Sequence, residues 1–214
     1  ASSQRALVAG ANMKKTLAMV AAFREKDQET PLVLMGYYNP VYVYGVDKFI
    51  TDSETAGVDG LIIVDLPPEE SEVRDVLKKS NIKLIYLIAP TTNDERLPKV
   101  VEHGSGFIYY VSIVGITGTK TATSKAVEAA LTRLRRHTNL PIAVGFGIKT
   151  PEQAAEIAQY ADAAVVGSAL VSCVEKNLDV NGKPTSACVT SVLDLVGQIA
   201  EGVRSVSKNV REND

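Results

Sequence analysis

Two glycine turns follow one another in the stretch from Pro141 to Leu170, PIAVGFGIKTPEQAAEIAQYADAAVVGSAL. Ile142 to Val144 read as a short apolar strand broken by Gly145, Phe146 and Gly147. Ala163 to Val166 read as the next strand, ended by Gly167 and Ser168. Between them Thr150, Pro151 and Gln153 spell a T-x-x-Q capping box with proline at the first helical position. Ala154, Ile157, Ala158 and Ala161 then recur at helical spacing. Small residues at the ends of two successive parallel strands leave backbone N–H groups bare where helices begin. Such amides complement negative charge without lysine or arginine, so the pattern is that of a phosphate cradle. For either turn alone, ending a strand before a helix is explanation enough. Both in consecutive units, with Gly115 and Thr117-Gly118 in the preceding loop SIVGITGTKTAT, shift the weight toward binding.

Other residues could carry chemistry. Asp65 closes the strand GLIIV (Gly60 to Val64), where a carboxylate points to the active face of a barrel or caps the following helix. Glu69 and Glu70 after it read as first-turn acids that complement a helix dipole. Tyr109 and Tyr110 are adjacent in a strand, so they face opposite ways. Tyr37, Tyr38, Tyr42 and Tyr44 enrich one loop in aromatics, to wall a pocket, dock a partner or pack locally. His103 and His137 sit at helix ends, where an imidazole answers the C-terminal dipole.

The elements that position these residues alternate. Strands begin near Leu32, Gly60, Lys83, Phe107, Ile142 and Ala163, and a helical pattern fills every gap. Ser3 to Ala9 is a helix stopped by Gly10, and Asn12 caps MKKTLAMVAAFREK with Leu17, Val20 and Phe23 on one face. After PLVLMG comes the aromatic loop YYNPVYVYG, and a helix over Val46 to Ala56. A polar helix, Ser71 to Lys79, leads to the strand KLIYLIA. Thr92 and Glu95 form a capping box for a helix ending at His103-Gly104, and Ser124 caps KAVEAALTRLRRH. The polar loop EKNLDVNGKPTS precedes a final amphipathic helix bearing Val192, Leu195, Ile199 and Val203, and the tail NVREND frays. Near-continuously apolar strands separated by helices are the mark of a parallel α/β sheet. No G-x-G-x-x-G follows the first strand, and the glycine turns come late, where a (β/α)8 TIM barrel keeps its phosphate site. The expectation is a single partial barrel over residues 1–214, with about six parallel strands, barrel strands 3 to 8.

Composition bounds the function class. The 214 residues are 45% hydrophobic and 22% charged with net charge −2, which gives no general attraction to nucleic acid or anionic membrane. No 18-residue apolar run predicts a transmembrane helix, and ASSQRALVAG lacks a signal-peptide pattern. Cys173 and Cys188 read as free thiols of a reducing cytoplasm. Two histidines without clustered ligands predict no metal site.

RALVAG (Arg5 to Gly10), LMGYYNPVYVYG (Leu34 to Gly45), DLPPEES (Asp65 to Ser71), YYVSIVGITG (Tyr109 to Gly118), GFGIKTPEQ (Gly145 to Gln153) and VVGSALV (Val165 to Val171) together resemble the alpha subunit of tryptophan synthase, in the family's order across most of the chain. The resemblance implies a TIM barrel and a carbon–carbon lyase of tryptophan biosynthesis. Its reaction is the retro-aldol cleavage of indole-3-glycerol phosphate to indole and glyceraldehyde 3-phosphate. It implies phosphate binding by Gly118, Gly147, Gly167 and Ser168, and a supporting catalytic tyrosine at Tyr109 beside the reacting carbons. Thr117 resembles the loop threonine that helps close the site, and Asp65 the acidic residue near that loop. Tyr37 resembles part of the indole pocket, near the face that meets the beta subunit. No cofactor is implied here; pyridoxal phosphate would belong to a beta partner, separate or fused.

One departure bears on chemistry. The family's two proton-handling carboxylates lie on its second strand and the loop after it, and the resemblance begins downstream of both. Glu69, Glu70 and Glu95 do not match those positions. The expectation is therefore a chain inactive by itself, with unpaired strand edges that favour aggregation. The alternatives are a non-catalytic phosphate-binding module that docks to and regulates a beta subunit, and another phosphate-binding barrel such as an indole-glycerol-phosphate synthase. The last needs a strand-end lysine, and Lys83 stands at the wrong end of its strand.

Overall fold

The computed structural model describes residues 2–67, 70–112, 120–145 and 147–206. Pro68, Glu69, Gly115, Thr117, Gly118, Phe146 and the tail NVREND lie outside the described residues. In chain order the elements are α1 (Ser2–Val8), α2 (Met13–Arg24), β1 (Val33–Gly36), α3 (Tyr38–Tyr44), α4 (Val46–Ala56), β2 (Gly60–Ile63), α5 (Ser71–Leu77), β3 (Lys83–Leu84), β4 (Leu87–Ile88), α6 (Leu97–His103), β5 (Ile108–Val111), α7 (Lys120–Arg135), β6 (Ile142–Gly145), α8 (Pro151–Ala158), β7 (Ala163–Val165), α9 (Ser168–Lys176) and α10 (Cys188–Ser205). They divide into two compact units. Unit 1 takes residues 1–87 and 93–108; unit 2 takes 88–92 and 109–214.

Unit 1 is built on a parallel sheet in the order β1-β2-β3, with Val33 opposite Gly60 and Gly60 opposite Lys83. β2 is central and buried along its whole length, as its unbroken apolar run GLII requires of a strand covered on both faces. Leu17 and Val20 of α2, Phe49 and Ile50 of α4, and Val73 and Leu77 of α5 supply the helical side of the core. Each such side chain contributes about 1.5–3 kcal/mol by leaving water.

Unit 2 is organised on the four-stranded order β4-β5-β6-β7, with Ala143 opposite Ala163 and Gly145 opposite Val165. Ile142, Val144, Leu134, Ala154 and Ile157 are buried there, so α7 and α8 each turn an apolar stripe inward. α10 buries Cys188 and Ile199 and leaves much of its length exposed. Both cysteines are free.

The structure departs from the sequence expectation at four places. KLIYLIA is two strands of two residues each, making seven strands among the described residues: β3 pairs with β2 and β4 with β5. The Ile85 N–H still donates to Leu61 O at 2.9 Å before the chain changes partner, and Ile85 and Tyr86 are buried at the break. YYNPVYVYG is a helix, α3, because Asp65 accepts its first N–H and Gly45, at φ 93°, stops it. The Thr92–Glu95 capping box does not form: α6 starts later, Thr92 Oγ1 accepts from Ala89 N–H, and Asn93 Oδ1 accepts from Arg96 N–H at 3.0 Å. α7 begins at Lys120, so Ser124 lies within it rather than at its cap.

Candidate functional site

The parallel register of β6 and β7 determines where the two glycine turns fall. Gly145 is paired with Val165, so Gly147 and Gly167 each stand two residues beyond the same rung. Gly147 has φ +61°, a left-handed conformation that a side chain strains, and no atom of the described residues lies within 4 Å of the position of its absent Cβ. A few residues on, the capping box is complete: Gln153 N–H donates to Thr150 Oγ1, and the Gln153 carbonyl oxygen accepts from Lys149 and Thr150 N–H. The box orders the turn between Gly147 and α8.

Gly167 is the N-cap of α9, and among the described residues no side chain caps that helix. Its Cβ position likewise meets none of the described residues within 4 Å, and Ser168, the first helical residue, is exposed. The first N–H groups of an α-helix have no partner within it, and a small uncapped start leaves them available. In unit 2, therefore, two strand ends in register present uncrowded glycines and one helix start.

Tyr109 adds an aromatic wall beside them. It alternates with Tyr110 along β5: Tyr110 is buried and senses the Arg133 charge on α7, whereas Tyr109 is half-buried and lies over Gly145 on β6. A Cβ at Gly145 would stand 2.5 Å from the Tyr109 hydroxyl oxygen and 2.7 Å from Cε2. Only glycine lets the ring lie there. Ser112 N–H donates to Gly145 O at 3.1 Å, which holds the end of β5 against β6. Burial raises the Tyr109 pKa above the usual phenol value, so its hydroxyl remains a proton donor in neutral solution.

In unit 1, Asp65 lies just past the C-terminal end of β2 and accepts the Tyr38 N–H at 2.7 Å. It caps α3 rather than the helix that follows it. Tyr37 precedes that helix and is 61% exposed, and Tyr42 and Val43 are exposed on it as well. Tyr38 packs against Tyr42 with ring centroids 6.0 Å apart, and its hydroxyl donates to Glu72 Oε2 at 3.3 Å. Its pKa is raised, by desolvation first and then by the Glu72 and Glu70 carboxylates.

The structure thus brings Tyr109, Gly147, Gly167 and Ser168 together at one end of the unit 2 sheet, and Asp65 to the start of α3, beside Tyr37, in unit 1. Sequence reasoning missed two partners, Gly145 under Tyr109 and Asp65 on Tyr38. Both are contacts between strands or loops whose register decides them. Among the described residues no group of three or more His, Cys, Asp or Glu side chains could hold a metal. No helix among them is long and apolar enough to cross a membrane.

The family model described as tryptophan synthase alpha chain matches residues 1–203. This chain belongs to that family. Among solved structures, the tryptophan synthase alpha chain of Legionella pneumophila is similar at 36% identity and TM-score 0.83, over 95% of this chain and 74% of that one. Tryptophan synthase from M. tuberculosis, in an aminoacrylate- and BRD0059-bound form, matches at 35% identity and TM-score 0.78, over 92% and 70%. A mutant tryptophan synthase alpha-subunit from the hyperthermophile Pyrococcus furiosus matches at 33% identity and TM-score 0.78, over 92% and 77%. The α/β fold with parallel strands is that of the TIM-barrel alpha structures. Membership in the alpha family connects the chain to tryptophan biosynthesis and to lyase-type chemistry.

Proposed function

We propose that this alpha-family chain supplies the phosphate-holding side of the retro-aldol cleavage of indole-3-glycerol phosphate to indole and glyceraldehyde 3-phosphate. The observation that carries the proposal is the register of β6 and β7, in which Gly145 pairs with Val165 two residues before Gly147 and Gly167, next to the start of α9. The substrate phosphate would accept N–H bonds from Gly147, Gly167 and Ser168 and the Ser168 hydroxyl, joined by Gly118 and closed over by the Thr117 loop. Tyr109, kept protonated by burial, would line the reacting carbons with Gly145 behind it.

Cleavage also needs proton transfer at the indole ring, and backbone amides cannot perform it. The two carboxylates that the resemblance assigns to that task are not among these 214 residues. As a separate polypeptide the chain therefore binds the phosphate ester and does not release indole. Exposed Tyr37, Tyr42 and Val43 around α3 form the face for a tryptophan synthase beta subunit or fused beta domain. Pyridoxal phosphate belongs to that partner, and neither nucleic acid nor membrane is a partner. The cytoplasm is the compartment.

The test is calorimetric binding of indole-3-glycerol phosphate to the pure chain, with a parallel assay for indole. Ser168→Ala should weaken binding about tenfold, the ordinary effect of losing one hydrogen bond to a charged group. Indole release by the pure chain would overturn the inactivity. Unchanged affinity in Ser168→Ala would remove the serine from the cradle. Altered beta activity on mixing, without phosphate-ester binding, would favour a docking module instead.

A further inference from the structure

A second pocket lies in unit 1, at the N-terminal end of β3, the opposite end of that sheet from Asp65. It has a volume of about 350 Å³ and is lined by Arg74, Lys78, Lys83, His103, Ser105 and Glu102 among others. We propose that this pocket binds a small ligand carrying two oxyanion groups, carboxylate or phosphate, held by Arg74 and Lys83 with His103 and Ser105 as further donors.

Arg74 is half-buried on α5, and its Nε donates back to Glu70 O at 2.9 Å. Among the described residues its terminal nitrogens have no partner. Among the same residues Lys83, which begins β3, makes no ion pair, and the His103 side chain at the end of α6 has no hydrogen-bond partner. Ser105 is fixed on both sides: its N–H donates to Leu84 O and its Oγ accepts the Leu84 N–H, both at 2.9 Å. The Ser105 hydroxyl hydrogen is thus free to point into the pocket. Ser80 is different, since its hydroxyl already donates to Leu77 O and accepts from Ile82 N–H.

Charge is not balanced locally. Lys78 pairs with Asp75 at 3.1 Å on the exposed side of α5. Among the described residues Glu102 is the carboxylate in the lining, and it forms no ion pair with Arg74 or Lys83. Basic residues at helix C-termini often need no further explanation, because they answer the helix dipole. That covers Lys78 and His103. It does not cover Lys83, which stands on a strand; Arg74 lies in the last turn of α5, but its Nε is bonded to Glu70 O at the start of that helix rather than to the last carbonyls. An arginine fork takes a carboxylate or phosphate through two parallel bonds, and a lysine some distance away adds a second point of charge. The volume is at the lower end of small-molecule sites, which fits a compact dianion.

Isothermal titration of the full 214-residue chain with malonate and, separately, inorganic phosphate tests this. We expect saturable binding of at least one probe, and the tighter one tells carboxylate from phosphate recognition. The double variant Arg74→Gln/Lys83→Gln should lose at least about tenfold in affinity for the probe that binds, whereas Lys26→Gln, at an exposed position outside the pocket lining, should keep it. Circular dichroism checks the fold of the double variant; if it is unfolded, Lys83→Gln alone, at an exposed position, takes its place with the same expected direction. No saturation by either probe, unchanged affinity in the folded variant, or an equal loss in Lys26→Gln would each overturn the proposal.

Discussion

The two units use the same device at the N-terminal ends of their strands, and they use it with different strength. In unit 1, Asp59 N–H donates to Leu32 O at 2.9 Å and Leu32 N–H donates back to the Asp59 carboxylate at 2.7 Å. In unit 2, Asp162 N–H donates to Ile142 O at 3.0 Å and Ile142 N–H donates back to Asp162 at 2.8 Å. In both, the last residue of a helix is an arginine that grips the aspartate: Arg24 of α2 on Asp59, Arg135 of α7 on Asp162. The reciprocal bracket fixes strand register; the arginine ties a helix to it.

The arginines differ in what else they hold. Arg24 is 11% exposed and also donates to Gly57 O at 2.8 Å, Thr30 O at 2.8 Å and Asp27 O at 3.2 Å. Arg135 is 28% exposed, with Asp162 as its carboxylate. A surface ion pair contributes little, but a nearly buried guanidinium that satisfies three carbonyls leaves all of them wanting when it is removed. One recipe thus yields a keystone in unit 1 and a minor brace in unit 2.

The largest loss is expected at Gly57, which packs against Arg24. Its φ is +93°, and a Cβ there would stand 2.7 Å from Arg24 Cγ. Gly57→Ala combines left-handed strain with displacement of the arginine, and should cost about 3 kcal/mol, read as a lower urea midpoint at unchanged slope. Next, Arg24→Ala should cost about 2 kcal/mol and Arg135→Ala about 1 kcal/mol or less on the same measurement. Equal losses would mean that burial does not set the difference.

The smallest effect is a pH dependence. The Thr30 hydroxyl first, then the Thr30 and Glu29 N–H groups, hold the Asp27 pKa below the usual carboxylate value. A carboxylate whose folded pKa is depressed contributes stability that is complete above its unfolded pKa. That contribution is lost as pH falls through the folded one. Thr30→Val should therefore flatten the decline of stability below about pH 4, measured as melting temperature against pH. An unchanged acid limb would detach Asp27 from the clamp.

Much of the fold was legible because it depends on local rules. Asn12 accepts from Lys15 N–H at 3.0 Å, and Thr150 and Gln153 close their box, as their spacing alone foretells. The burial of β2 and β6 follows from their apolar runs. The same local logic failed where a distant residue decides. YYNPVYVYG reads as a loop until Asp65, 27 residues from Tyr38, caps it, and KLIYLIA reads as one strand until its neighbours divide it. The two clamps went unread for the same reason, although Pro31-Leu32 with Asp59 and Pro141-Ile142 with Asp162 carry a visible echo in the sequence.

The amino-acid sequence by itself determined the alternation of strand and helix, the helix caps and the glycines at the strand ends, because periodicity, capping and steric freedom act within a few residues. Its motifs also carried the alpha-family resemblance. Tertiary structure alone decided that Gly145 pairs with Val165 just before the two glycine turns, that Tyr109 lies over Gly145, and that Arg74 and Lys83 line one pocket. Those relations are matters of register and packing between segments far apart in the chain, where distance in sequence carries no information about distance in space.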